Sequence, residues 1–202
     1  MTTPSSSIEG LRRTVFIVAA LNLGYFGIEF AVATFIGSVS LFADSIDFLE
    51  DASINLLIFF AAAWSLRRQA RVGSVLAFVI LLPALATIWF AVVKILDPVA
   101  PAPIQLSIAA VGALIVNLSC AFLLVRHRNA GGSMAKAAWL SARNDALANV
   151  AIIAVGVVTI WVSSGWFDIV VGVAIGLLNA DAARAVWRAA RTEHLAARAA
   201  TP

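Results

Sequence analysis

The 202-residue chain is poor in charge, because only 12% of its residues are Asp, Glu, Lys or Arg while 62% are hydrophobic. A soluble globular domain carries roughly twice that proportion of charge. The single cysteine, Cys120, excludes an internal disulfide and a zinc site built from several cysteines. The formal net charge of +3 is not concentrated in a long basic run, so nucleic-acid binding is not expected. The composition therefore predicts a polytopic membrane protein with little sequence outside the membrane.

Six apolar segments are long enough to cross about 30 Å of hydrocarbon. We expect an all-α membrane protein, a six-transmembrane-helix bundle over residues 12–187. A disordered tail (1–11) precedes it and a short cytoplasmic tail (188–202) follows it. Pro83 predicts a kink in the third span. The predicted spans are roughly 14–37, 38–66, 72–96, 104–125, 134–162 and 166–187.

The first apolar segment has a second interpretation, a cleaved signal peptide with a cleavage pattern at Ala31-Val32-Ala33. Its length and its interruption by Asn22 and Glu29 disfavour that interpretation. As parts of membrane spans, Glu29 and Asp181 are expected to make polar contacts nearer the membrane faces. His127 and His194 lie in basic stretches and are expected to be solvated.

Positive charge predicts the orientation of the bundle. Twelve of the 14 Lys and Arg residues fall on one side, and the loops on the other side, near 37–38, 97–103 and 163–165, contain none. The positive-inside rule then places both termini in the cytoplasm. We expect a multi-pass protein of the inner (cytoplasmic) membrane. Lys94 and Arg143 are the two exceptions. We expect both to snorkel to an interface, with a Glu50–Arg143 pair as the alternative for Arg143.

The second span carries four carboxylates in its first half, which is unusual for a membrane helix: Asp44, Asp47, Glu50 and Asp51. At 100° per residue, Asp44, Asp47 and Asp51 lie within about 60° of one another on one face. An ionised carboxylate left alone in hydrocarbon costs several kcal/mol, so something must neutralise these groups. A divalent cation is the natural candidate. The alternative is a proton-sharing or Arg-paired polar cluster that holds helices together.

A second polar cluster lies on the fifth span. Ser141, Asp145 and Asn149 follow one another at intervals of four residues and share a face about 80° wide. Asp145 lies about 13 Å from the cytoplasmic end of its span, and Asp47 and Asp51 lie about 13 to 20 Å from the outer end of theirs. In a membrane about 30 Å thick, both clusters are therefore near the midplane and can face each other.

Two segments, SVSLFADSIDFLEDA at 38–52 and WLSARNDALANVAII at 139–153, resemble the second and fifth spans of the cation diffusion facilitator (cation efflux) family. The resemblance extends over essentially the whole chain in span order and loop length. Asn22 and Asn117 also fit the family's appearance. The resemblance implies a homodimeric six-span transporter that moves zinc and related divalent cations out of the cytoplasm in exchange for protons.

The family pattern is His or Asp, three residues, then Asp, on each of these two helices. Asp47 and Asp51 match it on the second span and Asp145 on the fifth, while Ser141 stands where His or Asp is usual. The resemblance therefore implies a metal site formed by Asp47, Asp51 and Asp145, with Ser141 as a weak neutral ligand. The secondary candidates are Asp44, Asn144 and Asn149.

The resemblance also implies the substrate and the partners. Zinc is the expected ion, with cadmium close behind, although oxygen-rich ligands also suit Mn²⁺, Fe²⁺ or Co²⁺. No resident cofactor and no catalytic residue are expected. The family usually carries a metallochaperone-like domain after the sixth span, and only fifteen residues follow Trp187 here. A short form would dimerise through its membrane spans, and the GxxxG of Gly172 and Gly176 suits either that contact or packing within the chain.

An enzyme is the alternative function. Six-span phosphatidyltransferases also place several Asp on membrane helices to hold divalent ions. Their signature requires Gly directly after the second Asp, whereas Phe48 follows Asp47 here. Antiport, by contrast, explains the crowding of the carboxylates. Acidic groups this close resist joint ionisation, so protons and a metal ion compete for the same oxygens.

Overall fold

The computed structural model describes residues 4–61, 85–125 and 132–178, with side chains described for 9–60, 85–125 and 141–178. Regular secondary structure in these ranges is helical throughout, and they contain no strand. The predicted all-α helical membrane fold is confirmed over this part of the chain. In chain order the helices are α1 (Pro4–Ile36), α2 (Val39–Ala61), α3 (Leu85–Leu96), α4 (Pro103–Val125), α5 (Gly132–Trp161) and α6 (Trp166–Leu178).

Three stretches among the described residues are long and apolar enough to cross a membrane: Glu9–Ile36, Pro103–Val125 and Ser141–Trp161. Their outward faces carry large exposed apolar side chains, such as Phe35 and Phe122, which suit contact with lipid tails. Helix α2 has 23 residues, as many as Pro103–Val125, but its first half carries the four carboxylates. Its acidic face must therefore be kept away from lipid, and the other helices pack over it.

Helix α1 differs from the expected boundary. It begins at Pro4 rather than near residue 12, so residues 4–11 of the predicted disordered tail are helical. Proline is well suited to the first turn of a helix, because the N–H that it lacks has no intrahelical acceptor there. Several predicted features fall outside the described residues, namely 1–3, the basic end of the second span at 67–71, Pro83, His127, Asp181, His194 and the tail 188–202.

The packing of the helices separates two apolar regions. Helix α1 packs along α2 and α4 along α5, and contacts of α1 with α4 and of α2 with α5 close the group. One apolar cluster lies at the end where α2 begins and includes Leu41, Ile46 and Leu106. The other lies toward the start of α1 and includes Val15 and Leu124. The polar residues of α2 and α5 lie largely between these clusters.

The α1–α2 turn sets where α2 begins. Gly37 has φ +65°, a left-handed conformation that favours glycine. The Ser38 N–H bonds back to the Ala33 carbonyl at 3.0 Å, as in a Schellman helix end. Lys94 of α3, which is predicted to snorkel, donates from Nζ to the Gly37 carbonyl at 2.7 Å. This turn is therefore tied to the end of α3.

The two glycines of the GxxxG in α6 pack within the chain. A Cβ at Gly172 would lie 2.6 Å from the Ser40 backbone nitrogen, and one at Gly176 would lie 3.1 Å from Thr87 Cγ2 of α3. The missing side chain at Gly172 lets α6 approach the first turn of α2 closely. Of the two roles open to this motif, the described contacts are those of intrachain packing.

Candidate metal site

The first turn of α2 is capped by a carboxylate from another helix. Asp168 of α6 is fully buried. It accepts hydrogen bonds from Ser38 Oγ at 2.7 Å, Val39 N at 2.7 Å, Ser40 N at 3.1 Å and Ser40 Oγ at 2.6 Å. A helix start leaves N–H groups without intrahelical acceptors, and a carboxylate there also suits the helix dipole. Asp168 therefore fixes the depth at which α2 begins. The depth of the acidic face of α2 follows from that start.

Asp168 is not predicted from the sequence pattern. The available signal is a helix start of the form Ser-Val-Ser at 38–40, together with an acid near the same membrane face at the start of the sixth span. Serine is a common helix cap, so this segment alone does not demand a partner from elsewhere. The partner becomes evident only when α6 is placed beside α2.

Helices α2 and α5 run in opposite directions, and their polar residues meet in three successive pairs. At one end, Asn149 Nδ2 donates a short hydrogen bond to Asp44 Oδ2. At the other end, Ser141 Oγ donates to Asp51 Oδ1 at 2.9 Å. We call this set the carboxylate ladder; it consists of Asp44, Asp47 and Asp51 on α2 and Ser141, Asp145 and Asn149 on α5.

Asp47 and Asp145 form the middle of the carboxylate ladder. They are near enough for their negative charges to interact, and the Ser141 hydroxyl lies within hydrogen-bonding reach of Asp145 as well as Asp51. Asp47 and Asp145 each keep partial exposure, whereas Asp44 and Asp51 are buried. Two carboxylates that interact through their charges and keep some access suit the binding of a cation. The structure thus brings together the four residues predicted as the metal site.

The secondary candidates separate into two groups. Asp44 and Asn149 belong to the carboxylate ladder. Asn144 does not, because its side chain is exposed and its Oδ1 accepts a hydrogen bond from Arg143 Nη2 at 3.2 Å. Glu50 is buried, and its Oε2 has no hydrogen-bond partner among the described residues.

A polar chain extends the carboxylate ladder across two more helices. Asn117 Nδ2 of α4 donates to Asn149 Oδ1 at 3.0 Å, which orients the Asn149 amide so that its nitrogen faces Asp44. On the other side of Asp44, the Glu29 carboxyl of α1 comes within hydrogen-bonding reach. Glu29 is expected to make a polar contact nearer a membrane face; its contact is with Asp44, and its side chain is fully buried inside the bundle. Helical periodicity does not fix how α1 is rotated toward α2, and that rotation places Glu29.

Cys120 belongs to the apolar cluster toward the start of α1, and Asn22 lies beside it. Asn22 Nδ2 donates to the Val18 carbonyl at 3.0 Å and lies 3.8 Å from Cys120 Sγ. Both side chains are fully buried. Asn55, one turn after Asp51, bonds from Nδ2 to the Asp51 carbonyl at 2.8 Å. These contacts hold the backbone and the helices around the ladder without using a ladder carboxylate.

Among the residues whose side chains are described, no group of three or more Asp, Glu, His or Cys side chains is arranged closely enough to hold a metal ion. In this arrangement one Asp51 oxygen is occupied by the Ser141 hydroxyl. The metal-binding role of the four residues therefore stays a prediction.

Comparison with known families assigns the chain. A family model described as the cation efflux transmembrane domain matches residues 15–193, which include the whole carboxylate ladder. The chain belongs to the cation efflux family. A search of curated proteins found no match. As a cation efflux protein, it is a multi-pass membrane transporter of metal cations and not an enzyme, so the phosphatidyltransferase alternative is set aside.

Proposed function

We propose that this cation efflux protein exports a divalent transition-metal ion from the cytoplasm in exchange for protons, with zinc as the preferred ion and cadmium the next. The carboxylate ladder is the observation that supports the proposal. Three acidic side chains, Asp47, Asp51 and Asp145, lie near enough for their negative charges to interact across α2 and α5. Their negative charge requires neutralisation in a membrane, and a divalent ion or protons supply it.

Each residue of the site has a distinct role in this mechanism. Asp47 and Asp145 keep partial exposure and receive the ion first. Asp51 completes the acidic set once its oxygen is released from Ser141, whose hydroxyl then serves as a weak neutral ligand. Zinc accepts carboxylate oxygens in a tetrahedral site, so this ligand set suits it. The same oxygens carry protons when the metal leaves, and the transport cycle needs no covalent step.

Alternating access requires one group of helices to move against another. Asp168 and Gly172 join α6 to the start of α2, so we infer that these two helices move together. Motion of the α2–α6 pair relative to α5 separates Asp51 from Ser141 and opens the ladder on one side. A homodimer formed through membrane spans and an inner-membrane location with both termini cytoplasmic complete the proposal.

Metal uptake by proteoliposomes tests the proposed function. Purified protein is reconstituted with an imposed pH gradient, and Zn²⁺, Cd²⁺, Mn²⁺, Fe²⁺ and Co²⁺ are offered in turn. We expect gradient-dependent uptake of Zn²⁺ and Cd²⁺ that falls by at least about tenfold in Asp51→Asn. Such a fall corresponds to about 1.4 kcal/mol of lost stabilisation. Removal of one carboxylate from the acidic set is the physical reason.

Asp97→Asn is the matched control for this experiment. Asp97 is exposed at the end of α3, so the same loss of charge occurs away from the ladder. The control should transport as the unaltered protein does. Equal uptake by Asp51→Asn and the unaltered protein would show that the ladder is a structural cluster, and the proposal would fail.

A further inference from the structure

Glu29 is buried, and its only described polar neighbour within reach is another carboxyl group, that of Asp44. Its side chain is fully buried, and neither carboxyl oxygen has a hydrogen-bond partner among the described residues. Asp44 Oδ1 is in the same condition. A buried carboxylate left unsatisfied costs several kcal/mol, and two such groups side by side cost more through mutual repulsion. These three acceptor oxygens belong to two carboxyl groups that lie within hydrogen-bonding reach of each other, so a shared proton or a bound cation must neutralise the pair.

The described neighbouring side chains supply no donor to these three oxygens. Asn149 holds the other oxygen of Asp44, and Asn117 fixes the Asn149 amide in turn. The hydroxyl of Tyr25, one turn before Glu29, is committed to the Ala109 carbonyl at 2.6 Å and does not serve Glu29. These neighbours therefore orient Asp44 but donate no hydrogen bond to the unpartnered oxygens of Asp44 and Glu29.

We propose that Glu29 and Asp44 form a second binding site for a divalent cation, separate from Asp47, Asp51 and Asp145. This inference rests on the proposed function, because the ion is the transported one. Asp44 lies three residues before Asp47 on α2, which is about 4.5 Å along the helix. The pair lies on the side of Asp47 toward the start of α2, the predicted outer side. An ion leaving the main site reaches it in one short step.

The chemistry of the pair suits a site of passage. Its ligands are carboxylate oxygens only, two carboxylates in place of the three at the main site, so it binds a divalent ion less strongly. Weak binding near the outer side favours release of the ion, because transport requires the ion to dissociate from each site that it occupies. Asn149 acts as a positioning residue, since its nitrogen bonds to Asp44 and its oxygen to Asn117.

Metal stoichiometry at equilibrium tests the second site. Detergent-purified full-length protein is dialysed against Cd²⁺, and bound metal per chain is measured by mass spectrometry. We expect two ions per chain in the unaltered protein, one in Glu29→Gln, one in Asp51→Asn and none in the double variant. Glu9→Gln, an exposed position on the same helix, is the matched control and should keep two ions.

The ion retained by Glu29→Gln shows that this variant is folded. If it binds nothing, Asp44→Asn decides, since one ion retained there supports the second site and none overturns it. A single ion in the unaltered protein, lost in Asp51→Asn and unchanged in Glu29→Gln, overturns the second site and leaves the proposed function standing. In that case Glu29 and Asp44 share a proton. Failure of the proposed function is distinct, because Asp51→Asn would then retain as much metal as the unaltered protein.

Discussion

Ser141 is the residue at which the site departs from the pattern of the family that it resembles. Its hydroxyl donates to Asp51 at 2.9 Å and lies near Asp145, so as the proposed fourth ligand it would add neither negative charge nor a strong donor atom. An imidazole at this position would favour zinc over harder ions. We therefore expect the proposed site to discriminate among divalent ions less sharply than one with histidine.

Ser141→His should convert the site toward zinc. We expect the ratio of Zn²⁺ to Mn²⁺ affinity to rise about tenfold or more, equivalent to about 1.4 kcal/mol, because the new ligand is nitrogen. Competition of Mn²⁺ against Zn²⁺ uptake in proteoliposomes measures this ratio. Ser119→His is the control, since Ser119 is exposed on α4 and bonds to its own helix at the Ile115 carbonyl. An unchanged ratio in Ser141→His would place this residue outside the site.

Residue positions were predictable where helical spacing alone decides them. The intervals among Asp47, Asp51 and Asp145 predict two acidic faces at similar depth, and the structure brings these faces together. Glu29 and Asp168 are different, because their environments depend on how α1 and α6 are rotated and docked against α2. A single sequence carries no signal for that rotation when both helices are apolar nearly all round.

At the scale of helices, α2 is positioned from outside itself. Asp168 caps its first turn, and Gly172 lets α6 approach the same turn closely. The identity and order of the helices follow from apolar length. The GxxxG in α6 shows the limit of that reasoning, because small residues predict a close contact and do not name the partner. The structure names the start of α2 for Gly172 and α3 for Gly176.

Gly172→Ala should destabilise the bundle. The added Cβ meets backbone atoms of Val39 and Ser40 at 2.6 Å, and backbone cannot yield as a flexible side chain does. Overpacking of this kind costs about 1–3 kcal/mol. Thermal unfolding in detergent should show a melting temperature lower by roughly 2–4 °C for each kcal/mol.

Gly27→Ala is the matched control for that substitution. A Cβ at Gly27 of α1 meets nothing within 4 Å. Alanine is also the better helix former by up to about 1 kcal/mol, so the melting temperature should stay the same or rise. A Gly172→Ala protein as stable as Gly27→Ala would mean that α6 does not pack against the start of α2.

At the scale of the whole molecule, the described helices enclose an acidic layer between the two apolar clusters. Glu29, Asp44 and Asp51 are buried there, and Asp47 and Asp145 are partly exposed. Such a layer is costly in a membrane unless cations or protons neutralise it, and exchange of one for the other is what a metal–proton antiporter performs. Family membership supports transport of metal cations, and the layer supports the coupling to protons.

Proton movement driven by metal is the most direct test of this coupling. Proteoliposomes containing a trapped pH-sensitive dye receive an external pulse of Zn²⁺ with no pH gradient imposed. The account predicts that Zn²⁺ entry drives protons out and raises the internal pH, and that Asp51→Asn abolishes both the metal flux and the pH change. Zn²⁺ entry through the unaltered protein with no change in internal pH would contradict the account, because the carboxylates would then carry metal without exchanging protons.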